Sequence, residues 1–172
     1  MDTLGRSQWQ VGGVDVTKKV MPNGEKRTRI GLPGGMAISI TEMVVYSLDI
    51  SPLPWQNAHF HKGLTEDYLV LKGWAFFASS FSGEAPRYEM CHIGSHIRVD
   101  PERAHCVLLG PGTLLQTTVH ESPIGNPEKK GNDWWPCFDF DARIAQEIVY
   151  DWFLGGLKTV RLRELDDIEY PR

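Results

Sequence analysis

Turn-forming residues, repeated at short intervals, set the strongest limit on how this chain can fold. The 172 residues include 17 glycines and 11 prolines, which recur at points such as Pro22-Asn23-Gly24, Gly73 and Gly110-Pro111-Gly112. Several of the segments between them, such as residues 36–50, are rich in β-branched residues. Short segments of this kind, bounded by glycine and proline, are typical of strands in an all-β sandwich or barrel. The sequence therefore predicts an all-β fold, and its length suits one domain.

Composition and charge argue against several classes of function and location. The formal net charge of −4 predicts no binding to nucleic acid or to an anionic membrane. No apolar run is long enough to cross a bilayer, and the first residues lack the basic and then apolar order of a signal peptide. Cys91, Cys106 and Cys137 are odd in number and show no CxxC spacing, so we expect reduced thiols in a cytoplasmic protein.

Four residues predict a metal site. His59 and His61 are separated by one residue, so they lie on the same face of a strand. Glu66 heads the next apolar run, and His105 enters a later strand after a proline-led turn. Three imidazoles and a carboxylate can bind one divalent transition metal and leave coordination positions open. Open positions are the requirement for a catalytic site rather than a structural one.

The spacing of these residues resembles the cupin family. His59-x-His61-x₄-Glu66-x₆-Gly73 matches the first cupin motif from its first histidine onward. Pro101-x₃-His105 resembles the second motif, although it lacks the usual turn glycine and has one residue fewer before the histidine. The glycine that usually opens the first motif is replaced here by Leu53.

This resemblance implies a fold and a cofactor. The fold is a cupin-type double-stranded β-helix, which is a jelly-roll barrel built from two Greek keys. The cofactor is one divalent transition metal (Fe, Mn, Zn, Ni or Co), with the three histidines and the glutamate as ligands. Cupins commonly pair through N-terminal strands, so the resemblance also implies a homodimer.

The chain divides into four consecutive segments of a single domain. Residues 1–35 are predicted to form an N-terminal arm with one or two edge strands, and residues 36–122 to form the cupin barrel core. Residues 123–140 are rich in proline and glycine and predict a long loop. Within the final segment, 141–172, apolar residues recur at three- and four-residue steps, which predicts a C-terminal helix over 142–154.

Five further residues are candidates for the pocket. Tyr68 shares the face of Glu66 and is a candidate acid or base, although a core tyrosine fits equally well. His120 ends a later strand and is a candidate general base, with a surface histidine as the alternative. Gln116 and Thr118 are candidate substrate-binding residues because they share the face of His120. Trp74 could stack on a substrate or belong to the core.

Three functions remain open at this level. The first is a metal-dependent cupin enzyme acting on a small polar substrate, with isomerisation of a sugar or sugar derivative as its reaction. The run from His59 to Asp67 and the late segments Glu121-Ser122 and Asn132-Asp133-Trp134 resemble sugar-isomerase cupins. The second is an Fe(II)-dependent cupin dioxygenase, since ligand types do not identify the metal. The third is a non-catalytic cupin that binds a small ligand.

Overall fold

The computed structural model describes residues 5–44, 55–81, 84, 87–120 and 133–137. Apart from one 3₁₀ turn at Pro33–Gly35, its regular structure consists of strands. In chain order these strands are β1 Gly5–Val11, β2 Val14–Val20, β3 Glu25–Gly31, β4 Ala37–Met43, β5 His59–Phe60, β6 Glu66–Lys72, β7 Trp74–Ser80, β8 Arg87–His92, β9 His96–Val99, β10 Ala104–Leu109, β11 Leu114–Val119 and β12 Trp135–Pro136.

The strands form two antiparallel sheets. The larger has seven strands in the order β1-β2-β3-β4-β11-β6-β9, and the smaller has five in the order β12-β5-β10-β7-β8. β11 therefore lies between β4 and β6, and β10 lies between β5 and β7. Pairing between strands so distant along the chain is a feature of Greek-key and jelly-roll folds. The all-β, jelly-roll prediction is confirmed.

Alternation along each strand sets which side chains reach the interior. On β6, Glu66, Tyr68 and Val70 are buried, while the residues between them are only partly covered. The buried residues of the neighbouring β11 are Leu115, Thr117 and Val119. The central apolar cluster draws on both sheets and consists of Met43, Tyr68, Val70, Ala75, Phe77, Cys91, Val99, Val107, Leu109 and Leu115. Fully burying a valine, leucine or phenylalanine side chain contributes about 1.5–3 kcal/mol to the free energy of unfolding.

Gly73, the last residue of the first motif, forms the turn between β6 and β7. Its φ of 74° lies in the left-handed region that glycine adopts readily. A Cβ at this position would lie 2.5 Å from Thr113 Oγ1. The turn therefore excludes other side chains both by its backbone conformation and by lack of space.

The N-terminal segment is more regular than expected. It contains three strands, β1 to β3, which extend the larger sheet beyond β4. β1 is an edge strand with exposed side chains, including Trp9 and Val11.

The three cysteines are free, in agreement with the predicted thiols. The described residues include no helix long and apolar enough to cross a membrane. The predicted helix over 142–154 lies outside the described residues.

Candidate metal centre

The four predicted ligands come together between the two sheets. His59 on β5 pairs in register with His105 on β10 in the smaller sheet, and His61 follows two residues after His59. Glu66 is the first residue of β6 in the larger sheet. All four side chains are buried, and one ligand atom from each lies within 4.8 Å of the others. This cluster fits a single metal ion.

Each histidine is oriented by a backbone carbonyl that accepts its Nδ1–H. The three pairs are His59 with Asn57 (2.8 Å), His105 with Arg103 (3.1 Å) and His61 with Asp133. A hydrogen bond from Nδ1 fixes the tautomer and directs the lone pair of Nε2 away from that bond. All three imidazoles are therefore held in the form in which Nε2 can bind a metal.

The Nε2 atoms face the carboxylate of Glu66. His105 Nε2 lies 3.2 Å from Glu66 Oε2, and His61 Nε2 lies 3.4 Å from the same oxygen. His61 Nε2 is buried and has no hydrogen-bond partner among the described residues. Because a buried polar nitrogen without a partner is costly, its presence beside three other potential ligands supports metal binding.

Electrostatics favours the charge states that a metal requires. Burial raises the pKa of Glu66, but the nearby imidazoles of His105 and His61 outweigh burial and hold this pKa well below its ordinary range. Burial, with the nearby His105, lowers the pKa of His59 well below 6.5. Glu66 is therefore a carboxylate and His59 a neutral imidazole at neutral pH.

His61 behaves differently in the metal-free protein. Burial lowers its pKa, but the Glu66 carboxylate 3.4 Å away and the carbonyl of Asp133 raise it overall above 6.5. This shift favours the protonated form of His61 beside the buried Glu66 carboxylate. A bound cation would replace this proton, since metal binding requires neutral imidazoles.

Tyr68 lies directly beside the ligands. Its hydroxyl donates to Glu66 Oε2 at 2.5 Å and lies 3.2 Å from His105 Nε2. Burial, followed by the charge of Glu66, raises the pKa of Tyr68 well above 10. The phenol is therefore protonated at neutral pH and can act as a hydrogen-bond donor in the site.

Gln116 and Thr118 lie on the other face of β11. They pair with Leu69 and Asp67 of β6 and alternate with the buried residues of their own strand. Thr117, between them, is buried and pairs with Tyr68. The structure therefore brings Thr117, rather than the two predicted residues, to the metal-facing side.

The structure does not bring His120 or Trp74 to the cluster. His120 Nε2 lies 2.6 Å from Asp67 Oδ2, on the opposite side of β6 from Glu66. Trp74 is at the far end of β7, five positions before Ser79, the partner of His105. At about 3.3 Å per residue, that separation is roughly 16 Å. The Trp74 ring packs instead against Gly110, where an added Cβ would lie 2.2 Å from it.

Asp133 has a supporting role that the sequence did not reveal. Its carbonyl accepts the Nδ1–H of His61, and its buried carboxylate accepts the backbone N–H groups of Lys62 (3.0 Å) and Gly63 (2.8 Å). Trp135 Nε1 donates to the same carboxylate at 2.9 Å. One aspartate from a distant part of the chain thus fixes both the ring of His61 and the turn that follows it.

The neighbouring Trp134 covers another ligand. Its ring stacks on His59, with centroids 5.4 Å apart and planes 25° apart. In the sequence, Asp133 and Trp134 stand out only as part of a segment that resembles sugar-isomerase cupins. Nothing in their local pattern indicates contact with a site more than 70 positions earlier.

Known proteins were compared with this chain by sequence and by structure. No protein-family model matches the sequence, and no curated protein is similar to it. Among solved structures, CapF bound to the inhibitor 3-isopropenyl-tropolone is similar, with a TM-score of 0.54 and 14% identity over 70% of this chain. A structure of the capsular polysaccharide assembling protein CapF from Staphylococcus aureus gives a TM-score of 0.50 and 13% identity over 70% of this chain.

The match covers only part of those proteins. This chain corresponds to 33% of the first CapF chain and 31% of the second.

The cupin domain of CENP-C from Drosophila melanogaster is a further match, with a TM-score of 0.41 and 13% identity, covering 68% of this chain and 75% of that one. At such low identity the shared property is the fold. The likeness to CapF and the strand order of the two sheets thus show a jelly-roll fold, with the histidine–glutamate cluster between the sheets.

Proposed function

We propose that this chain is a metal-dependent cupin enzyme that acts on a small polar molecule, and that its reaction is the isomerisation of a sugar or sugar derivative. The observation that carries the proposal is the convergence of Glu66 with three imidazoles whose Nδ1 atoms are all bound to backbone carbonyls. A set of four protein ligands leaves room for substrate on a metal that accepts five or six.

The proposed chemistry divides between the metal and Tyr68. A divalent metal at this site would supply Lewis acidity toward a carbonyl and hydroxyl pair. Tyr68 keeps its proton at neutral pH and lies within hydrogen-bond distance of two ligands. It is therefore the proposed residue that donates a hydrogen bond to a substrate oxygen in the site. Asp133 and Trp134 would position His61 and His59.

The polar interior supports a hydroxylated substrate. Ser39 and Thr41 on β4 and Thr117 on β11 are buried on the same side of the larger sheet as Tyr68. Hydroxyl side chains can both donate to and accept from a sugar. CapF, whose fold is similar, is described as a capsular polysaccharide assembling protein, and this also favours a carbohydrate derivative.

The test combines metal analysis with two activity assays. We expect the purified protein to hold one metal ion per chain and to exchange solvent deuterium into an aldose or ketose. His105→Ala should lose both the metal and the exchange, whereas His120→Ala, a histidine outside the cluster, should keep both. Iron together with substrate-dependent oxygen uptake would instead establish the dioxygenase. Full metal content in His105→Ala would overturn the site.

We also propose that the protein is a cytoplasmic homodimer. The exposed edge strand β1 supports the dimer because its unpaired backbone groups can add a strand from a second copy. The three free cysteines support a reducing compartment. Sedimentation velocity tests the dimer, which should dissociate when Gln8, near the middle of β1, is replaced by proline. A monomeric wild-type protein would contradict it.

A further inference from the structure

Arg29 lies on the metal-facing side of the larger sheet. It is on β3 and pairs with Ser39, which pairs with Thr117, which pairs with Tyr68. The last three of these residues are buried in the interior. Three steps between neighbouring strands correspond to roughly 14 Å between the Cα atoms of Arg29 and Tyr68. Arg29 therefore faces the cluster across a distance that a small molecule could bridge.

The row of residues next to Arg29 ends in two small residues. In the register that contains Glu66, the partner on β11 is Val119, followed by Ala37 on β4 and Gly31 on β3. The two positions nearest to Arg29 thus have a methyl group or no side chain. The Arg29 side chain is exposed to solvent, although the surrounding protein lowers its pKa and the charge of Glu66 acts on it. Arg29 is thus a solvent-exposed cation on the metal-facing side of the sheet.

Arg29 contrasts with Arg27, two residues earlier on the same face. Arg27 Nη2 lies 3.2 Å from Glu25 Oε2, and Gln56 Nε2 donates to both oxygens of that fully buried carboxylate. Arg29 makes no comparable hydrogen bond or ion pair with any described residue. The Arg27 guanidinium is thus paired with a buried carboxylate, whereas the Arg29 guanidinium is available to a ligand.

Further positive charge surrounds Arg29. Arg6, Lys19 and Arg27 form one row across β1, β2 and β3 on the same side of the sheet. Burial lowers the pKa of Lys19, and the charges of Arg6, Arg27 and Arg29 lower it further. Like charges held this close repel one another, so a bound anion would relieve the repulsion.

We propose that Arg29 binds an oxyanion, a carboxylate or a phosphate ester, on the substrate of the metal site, so that the substrate class is an acidic small molecule rather than a neutral one. This inference rests on the proposed function, because it assigns the second contact of the same ligand. The planar guanidinium suits the purpose, since it binds carboxylate and phosphate through two parallel hydrogen bonds.

The test is calorimetric titration of the Zn²⁺-loaded full chain with inorganic phosphate and, separately, with malonate at constant ionic strength. We expect the wild-type protein to bind at least one of these anions. Arg29→Gln should weaken that binding about tenfold or more, as expected for the loss of a charge-assisted bidentate contact. Arg29→Lys, which keeps the charge but not the fork, should fall between them. The preferred anion distinguishes a phosphate ester from a carboxylate.

Lys26→Gln is the matched control, because it removes one exposed positive charge from the opposite face of the same strand. It should change anion affinity less than twofold. Equal weakening in Lys26→Gln and Arg29→Gln, or no anion binding by the wild-type protein, overturns the proposal. Metal content is measured in every variant. Full metal content with unaltered anion binding in Arg29→Gln refutes the Arg29 contact alone, whereas failure of the wild-type protein to bind metal refutes the proposed function as well.

Discussion

Glu66 and Asp67 are consecutive carboxylates on β6, and each lies beside histidines, but their surroundings differ. Glu66 faces the interior with His59, His61 and His105, and its side chain is 10% exposed. Asp67 faces outward and contacts His96 at 3.1 Å and His120 at 2.6 Å. Those two histidine side chains are 58% and 39% exposed. A one-residue step along a strand thus separates a buried ligand set from a surface ion-pair group.

The comparison shows what a metal site requires beyond the right residue types. In the inner cluster each Nδ1 is bound to a backbone carbonyl, and His61 Nε2 has no hydrogen-bond partner among the described residues. In the outer group, the Nε2 atoms of both histidines also contact a carboxylate, but both rings are exposed to solvent. Orientation by the backbone and burial, rather than the number of histidines and carboxylates, make the inner group suitable for a metal.

The largest expected difference is in metal affinity. Glu66→Gln keeps the shape of the side chain but removes the anionic ligand, and we expect Zn²⁺ affinity to fall by about a hundredfold or more. Asp67→Asn is the same change one residue later, and it should alter affinity less than twofold. Competition titration with a chromophoric chelator measures both. Similar losses of Zn²⁺ affinity in the two variants would show that the two faces of β6 do not differ in metal binding.

The next effect concerns Asp133, which supports the cluster from outside it. Asp133→Ala removes the carboxylate that fixes Lys62 and Gly63 while retaining the carbonyl that accepts from His61. We expect metal affinity to fall about 10- to 100-fold, as is typical when support for a ligand is lost. Asp100→Ala, at an exposed ion pair with Arg98, is the control. Unchanged affinity in Asp133→Ala, with the metal still bound, would show that the turn needs no such support.

Metal affinity should also depend on pH. The pKa of His61 is raised above 6.5 in the metal-free protein, so below that raised value a proton must leave before metal binds. Affinity should therefore rise with pH by about tenfold per unit below the pKa of His61 and level off above it. Titrations of wild-type protein and His61→Ala between pH 6 and 8 measure this slope. The same slope in both proteins would assign the proton elsewhere.

The smallest effect is expected in the outer group. His120→Ala removes a partly exposed ion pair with Asp67, so the free energy of unfolding should change by less than about 1 kcal/mol. Denaturant titration of the metal-free protein measures the change. A loss of several kcal/mol would mean that the outer group has a structural role comparable to that of a buried pair.

Sequence periodicity together with motif spacing predicted the four ligands but not their surroundings. Two-residue alternation placed His59 with His61 and Glu66 with Tyr68 correctly, because each pair lies within one strand or turn. On β11 a run of leucine, glutamine and threonine does not reveal which face is buried. Pairing with β4 and β6 decides it in favour of Thr117 over Gln116 and Thr118.

Long-range contacts set the limit of prediction from sequence. Asp133 reaches His61 across 72 positions through one carbonyl, and no local pattern specifies such a contact. The face of Arg29 likewise follows from β3 joining β4 in the larger sheet, a pairing that the local sequence does not specify. Contacts between residues far apart in the sequence, and the strand faces that such pairing sets, are visible only in the folded chain.

Nitrogen-15 NMR of the histidine rings, recorded before and after addition of one equivalent of Zn²⁺, tests the central claim most directly. It reports for every ring which nitrogen holds the proton and which binds the metal. We expect His59, His61 and His105 to retain Nδ1–H and to show metal-bound Nε2, while His96 and His120 remain unchanged. Metal-induced shifts at His96 and His120, with the three inner rings unaffected, would contradict the account.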